Sequence, residues 1–394
     1  MKLLWLSNYS SPSAYALQSR LYIPRIKACG HEVTVLELAN GRFPARNVGG
    51  VEVLPVGKDP LGMDVVLEHY RRGGFHAVIS LIDPWGMNPD ILRQTSWFPF
   101  APIDTLPVSP RNMRALAGSM RPIAITRWGQ AEIAKIPGNP AAPLYLPHGY
   151  DPAVWKPSDR LKAREILGIP PDVFFAAFVG VNDSNPSRKG LDALLFVWQA
   201  FCHNRQDVML YLHTDPQGNI PETGDRGGVD VDAMLTSLNM QHDPRVKLVD
   251  VHRYRTFGIP QSELALIASA ADVLVNVGLG EGFGVPIVEF AACGTPSIVT
   301  GFGAMAELAG QMGGQLLNYE PMWGWQNAMV ARVLFGDLMS ALEKAYSERN
   351  TETGAKRRQA AWQGAQAYNI DRVFMEHGIP VLNAIAEMTM EAVR

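Results

Sequence analysis

Short apolar runs of strand length recur along this chain with helix-length segments between them, and that alternation constrains its folding more than any other feature. The runs are KLLWLSN, GHEVTVLEL, VEVLPV, HAVISLI, PIAIT, PLYLP, VFFAAFVGV, VMLYLHT, VKLVDV, DVLVNVG and PSIVT. Mostly apolar runs suit strands covered on both faces, and the intervening helices supply the cover. The pattern predicts an α/β protein built on doubly wound parallel sheets. The Pro-rich stretch LPHGYDPAVWKPSDR at 146–160 interrupts the series, and a new strand, polar loop and helix begin at Phe174. This predicts two domains, 1–157 and 158–370, and a C-terminal helix at 371–394 that closes a helix-rich tail beginning near Leu338. A chain of 394 residues with 47% apolar content has the material for two such cores. SWFPFAPIDTLPVSP is too rich in proline for a sheet interior and reads as an ordered loop.

Charge narrows the partners. The 35 Lys and Arg against 38 Asp and Glu give a net charge of -3, so no global positive field gathers nucleic acid or anionic lipid. Cys29, Cys202 and Cys293 lie far apart without CxxC spacing, and the start MKLLWLSNYSS is too short and polar for a secretory signal, which points to a reducing cytoplasm. No uncharged apolar run reaches the roughly 18 residues of a membrane span.

Residues 273–300, VLVNVGLGEGFGVPIVEFAACGTPSIVT, run from a buried strand through a Gly-rich loop into a helix and a further strand. Gly282 and Gly284 lack a Cβ, so the backbone N–H groups between Glu281 and Val285 can approach an anion closely. Pro286 suits a first helical residue, which makes this loop a helix N-terminus and a natural phosphate site. Glu281 is expected in the loop and Glu289 in the first turn of the helix, both facing one cleft. Their spacing alone proves little, since such a pair arises about once by chance in a chain of this size.

EGFGVPIVE followed by ACGTP resembles the E-G-F-G-x-P-x-x-E and A-x-G-x-P signature of the family-four, glycogen synthase-like group of retaining glycosyltransferases. The resemblance implies the GT-B fold, two Rossmann-like domains facing each other across a cleft. It also implies that Glu281 contacts hydroxyls of a donor sugar, that Glu289 holds the nucleotide ribose, and that Gly282, Phe283, Gly284 and Val285 line the donor loop. In FVGVNDSNPSRKGLDALLFVWQAF, Arg188 and Lys189 precede an amphipathic helix. Adjacent cations suit a diphosphate, because negative charge grows on the leaving nucleotide as the glycosidic bond breaks; the family carries an R-K pair at the corresponding loop. Thr256 and Phe257, in the stretch leading to the acidic motif, are candidates for the base site. LPHGYDPAVWKP resembles the family's P-N-G-V-D-x-x-x-F-x-P, with His148 and Trp155 replacing Asn and Phe, and reads as linker. His213 reads as a hydrogen-bonded strand end.

The N-terminal half departs from its relatives. Where many have a Gly-Gly loop, this chain has Ser10-Ser11-Pro12-Ser13-Ala14-Tyr15, leaving Ser13 and Ala14 as candidate backbone donors to the diphosphate. Asp83 and Trp85 follow a strand and suit a sugar, since carboxylates accept from hydroxyls and indole faces stack on sugar C–H surfaces; a turn residue and a core residue are the alternative. Asp104 and Arg127 are further acceptor-side candidates. The resemblance implies transfer of a sugar, from a UDP-sugar by family frequency, to a hydroxyl acceptor by front-face substitution, with no cofactor beyond the donor. No Asp-x-Asp sits at a strand end with supporting ligands, and Arg188 and Lys189 can do a metal's electrostatic work, so metal independence is expected. The acceptor stays open among glycan, lipid, protein and a modified nucleic-acid base of the phage type. Rival readings are a sugar-nucleotide epimerase and a non-catalytic sugar-nucleotide-binding protein.

Overall fold

The computed structural model describes residues 1–38, 43–138, 142–218 and 227–391. These form two compact units. One comprises Met1–Gly149, Gly324–Ala328 and Tyr368–Arg394; the other comprises Tyr150–Trp323 and Met329–Ala367. The division falls at Gly149/Tyr150, inside the Pro-rich connection and a few residues before position 157, and the tail from Tyr368 is counted with the first unit.

The first unit holds β1 (Lys2–Ser7), β2 (Glu32–Glu37), β3 (Arg46–Val48), β4 (Val51–Pro55), β5 (Ala77–Leu81), β6 (Trp97–Ala101), β7 (Ile123–Ala124) and β8 (Leu144–Tyr145). Their order is β3-β4-β2-β1-β5-β6-β7-β8, parallel except for β3. Leu3, Leu4 and Leu6 of β1 are fully buried, as its apolar run requires. The helix Ala14–Ala28 starts where Ser13 accepts a hydrogen bond from the Ala16 N–H. In the tail, Ile370, Val373, Phe374, Leu382 and Ile385 are buried, and Phe374 and Ile385 share a cavity of about 20 Å³ with Trp5, Tyr22 and Phe100.

β6 corrects the loop expected over 96–110. Its Pro99 lies opposite Ser80 of β5 in the middle of the sheet. Alternate residues of a parallel strand bond to opposite neighbours. The Ser96 carbonyl accepts from Val78 N and the Trp97 carbonyl from Met120 N, so Pro99, on Trp97's side, lacks its N–H toward β7. That neighbour has two residues and pairs only from Phe100 onward. The proline therefore removes no bond that β5 needs.

The second unit holds β9 (Phe174–Val179), β10 (Val208–His213), β11 (Val246–Leu248), β12 (Val273–Asn276), β13 (Ser297–Thr300) and β14 (Gln315–Leu317), all parallel in the order β11-β10-β9-β12-β13-β14. The antiparallel hairpin β15 (Tyr319–Trp323) and β16 (Met329–Val333) follows. The helix Leu191–Phe201 packs through Trp198 and Phe201, whose rings meet at 5.3 Å, with Phe201 edge-on to Phe174 at 5.9 Å and Tyr346 at 6.1 Å. Truncating fully buried Trp198 would cost about 3–5 kcal/mol and release the helix whose start carries the RKG loop.

Candidate active site

Strand order locates the site. Chain order in the second sheet reverses between β9 and β12, and ligands of open α/β sheets bind at the carboxyl ends of strands where that happens. The loop after β9 carries Arg188 and Lys189, and the loop after β12 carries Glu281.

Backbone bonds lock these loops together. The Leu279 N–H donates to the Arg188 carbonyl at 2.8 Å, and the Leu279 carbonyl accepts from Ala331 N of β16 at 2.8 Å. The Thr300 hydroxyl donates to the Gly278 carbonyl at 2.9 Å. Gly190 is left-handed at φ +71, and a Cβ there would lie 2.1 Å from the Val277 carbonyl oxygen, so no side chain fits this crossing.

The charged residues pair across the junction. Lys189 Nζ donates to both carboxylate oxygens of Glu281, at 2.5 and 2.7 Å, and their side chains are 16% and 11% exposed. Arg188 is gripped by Asp183, with Nε at 2.9 and 3.1 Å from its two oxygens and Nη2 at 2.7 Å. Asn182 braces the same loop, donating to the Asp215 and Val229 carbonyls and accepting from Val229 N. Asp215 in turn takes two 2.6 Å bonds from Arg255, which hold its carboxyl below the usual range.

The EGFG loop ends at Gly284, left-handed at φ +100, which caps the helix Val285–Ala292. Pro286 is thus the second helical residue, and Glu289 is the fifth, in the second turn instead of the first, because the helix begins at Val285. Glu289 is 5% exposed, and burial pushes its carboxyl up to about 8. Gly282 and Phe283 complete the loop, Phe283 buried. Thr256 ends the helix Val251–Thr256 and Phe257 caps it, 77% exposed; both follow edge strand β11, two strands from β9. His213 bonds to the Tyr211 hydroxyl at 3.1 Å, and burial lowers it to about 4, as a strand-end structural residue requires.

In the first sheet the reversal falls between β1 and β5, whose ends are tied by the Ser7 hydroxyl donating to the Leu81 carbonyl at 2.8 Å. Ser13 and Ala14 start the helix after β1. Asp83 caps the short turn Pro84–Gly86 after β5, with Trp85 44% exposed on it, not packed in the core. Asp104 follows β6 and accepts from Gln326 at 3.2 Å. Arg127 follows β7, its guanidinium 3.6 Å over the Tyr145 ring. The Ser loop is pinned by fully buried Glu37 at the end of β2, which accepts from the N–H groups of Tyr9 (3.3 Å) and Ser10 (2.5 Å), the Ser10 hydroxyl and Arg46. Glu37 ends the second strand, a place readable from the strand pattern, but nothing in the sequence marks its bonding to the Ser loop, and no sequence signal marks Asp183. Among the described residues no cluster of three His, Cys, Asp or Glu could hold a metal ion, and no helix is long and apolar enough to cross a membrane.

Two doubly wound sheets of this order define the GT-B class of fold. The fold is shared with sucrose-phosphate synthase from Thermosynechococcus elongatus, at TM-score 0.76 and 16% identity over 98% of this chain and 100% of that one. It is also shared with Anabaena HepE, solved in complex with UDP and glucose, at TM-score 0.69 and 16% identity over 97% and 100%. Residues 174–322 match the family described as glycosyl transferases group 1. Relatives include a D-inositol 3-phosphate glycosyltransferase of Segniliparus rotundus, 25% identical over 207 residues (51% of this chain, 41% of the relative). D-inositol 3-phosphate glycosyltransferase 1 of Catenulispora acidiphila is 27% identical over 229 residues (56% and 50%). The chain spans about half the length of the curated relatives it matches.

Proposed function

We propose that the chain is a retaining glycosyltransferase that moves a sugar from a nucleoside-diphosphate sugar to a hydroxyl acceptor. The observation that carries this reading is the Lys189–Glu281 pair at the β9/β12 reversal, inside the stretch that matches the group 1 glycosyl transferases. Lys189 and Arg188 oppose the charge that grows on the departing diphosphate, which stabilises the transition state more than the ground state. Glu281 orients the sugar, and Glu289 accepts from ribose hydroxyls. The acceptor oxygen bonds to the anomeric carbon on the face from which the C–O bond to phosphate breaks, and the acceptor proton passes to the leaving phosphate oxygen. No further cofactor or metal enters this scheme. The acceptor side belongs to the first unit, with Asp83, Trp85, Asp104 and Arg127 as contacts. Uridine is favoured as the base, supported by the Anabaena protein's complex with UDP and glucose.

Thermal unfolding with UDP, GDP, ADP and their glucose conjugates, without added metal, tests the donor site. Ligand at about 100 times its Kd stabilises by roughly 2.7 kcal/mol, so one nucleotide should raise Tm and Glu289→Ala should abolish the rise. No shift with any nucleotide would overturn the donor site. A shift without release of nucleoside diphosphate from any glucose conjugate, over a panel of hydroxyl acceptors, would favour a binding protein. Activity lost in EDTA and restored by Mg²⁺ would refute metal independence.

A further inference from the structure

We infer that Asp183 is the positioning residue that aims Arg188 at the leaving diphosphate, an inference that rests on the donor-site reading above. An arginine side chain reaches its target through four rotatable bonds, and a partly exposed one samples many directions unless something fixes its plane. Asp183 does so by taking the Nε–Nη2 edge of the guanidinium with both oxygens, at 2.7–3.1 Å. That fork leaves the guanidinium one plane and one direction for its Nη1 edge. The two side chains are 28% and 30% exposed, and ion pairs this open contribute little to stability. The contribution of the pair is therefore geometric.

The loop itself does not depend on Asp183. The Arg188 N–H donates to the Ser184 hydroxyl at 2.9 Å, the Arg188 carbonyl accepts from Leu279 N at 2.8 Å, and Asn182 makes three backbone bonds to the neighbouring segment. Removing the Asp183 carboxylate thus leaves the backbone anchored and takes away the two-oxygen fork that sets the plane of the guanidinium. A fixed cation acts on the transition state, while a wandering one still attracts the ground-state diphosphate, so the loss should fall on kcat and not on KM.

The test compares Asp183→Ala, Asp183→Glu, Arg188→Ala and the double variant Asp183→Ala/Arg188→Ala. Nucleoside diphosphate release is measured from whichever glucose conjugate of UDP, GDP or ADP gives the largest thermal shift. We expect Asp183→Ala to lower kcat about tenfold with KM changed less than threefold, Asp183→Glu to recover part of the loss, and the double variant to be no slower than Arg188→Ala. An unchanged kcat in Asp183→Ala, a raised KM alone, or multiplicative losses in the double variant would overturn the inference. If Arg188→Ala itself keeps the parent kcat, or no nucleotide binds, the donor-site reading fails instead.

Discussion

The two sheets share one winding and differ in what their reversal points carry. In both, the first strand of the unit lies beside the strand that starts its second half, β1 beside β5 and β9 beside β12. At the β9/β12 junction the loops present two cations, two glycines and buried Glu289, groups that suit a nucleotide. At the β1/β5 junction a serine-rich loop replaces glycines, and Glu37, the acid at the end of the second strand, is spent on that loop. In dinucleotide folds an acid at this place receives the ribose. Here it accepts from Tyr9, Ser10 and Arg46. Winding alone thus selects where a ligand can sit, and the strand-end residues decide which ligand.

The contrast can be broken most sharply at Lys189. Lys189→Ala and Arg188→Ala should each lower kcat by about 10²-fold or more, comparable to losing an oxyanion donor, and a change confined to KM in steady-state assays would remove their catalytic role. Glu37→Ala should cost about 2–3 kcal/mol of stability by stranding buried donors, while nucleotide affinity measured by calorimetry stays within twofold. Weakened nucleotide binding would blur the division between the sheets.

Glu289 gives a pH signature to the second sheet. Its folded carboxyl sits near 8 against an ordinary 4.5, so the folded state holds the proton. The resulting stability is full below about pH 4.5 and is lost as pH rises through about 8. Glu289→Gln, which cannot ionise, should gain on the parent protein by on the order of 3 kcal/mol in thermal unfolding at pH 9 and not at pH 5; equal gains at both would refute the buried acid. Ser13→Ala should show the smallest effect, about 1 kcal/mol from the lost helix cap, with donor turnover unaltered. A tenfold fall in turnover would bring the first sheet's loop into the donor site.

Much of this was legible in the sequence. The eleven apolar runs became strands; the central ones are buried and therefore apolar on both faces, while edge strands β8 and β11 are only partly covered. β6 escaped because proline was weighed without knowing which neighbour its missing N–H faced. The hairpin β15–β16 escaped because YEPMW and MVARV lack a continuous apolar run. The EGFG and RKG loops were readable as local chemistry. Their mutual arrangement was not: Lys189 and Glu281 stand 92 positions apart, and Asp183 is an ordinary polar residue until Arg188 folds back on it.

The double bond made by Leu279 bears on how this site can change over time. Its N–H and carbonyl are both committed, one to Arg188 and the other to Ala331, yet neither bond involves a side chain of the three. Leu279 and Ala331 are themselves buried, so only substitutions that fit the core are tolerated there, but any that keep the backbone path preserve the staple and the geometry it enforces. Insertions or deletions that shift the register of β16 have no such freedom, because they move the donor N–H away from the Leu279 carbonyl whatever residues they bring.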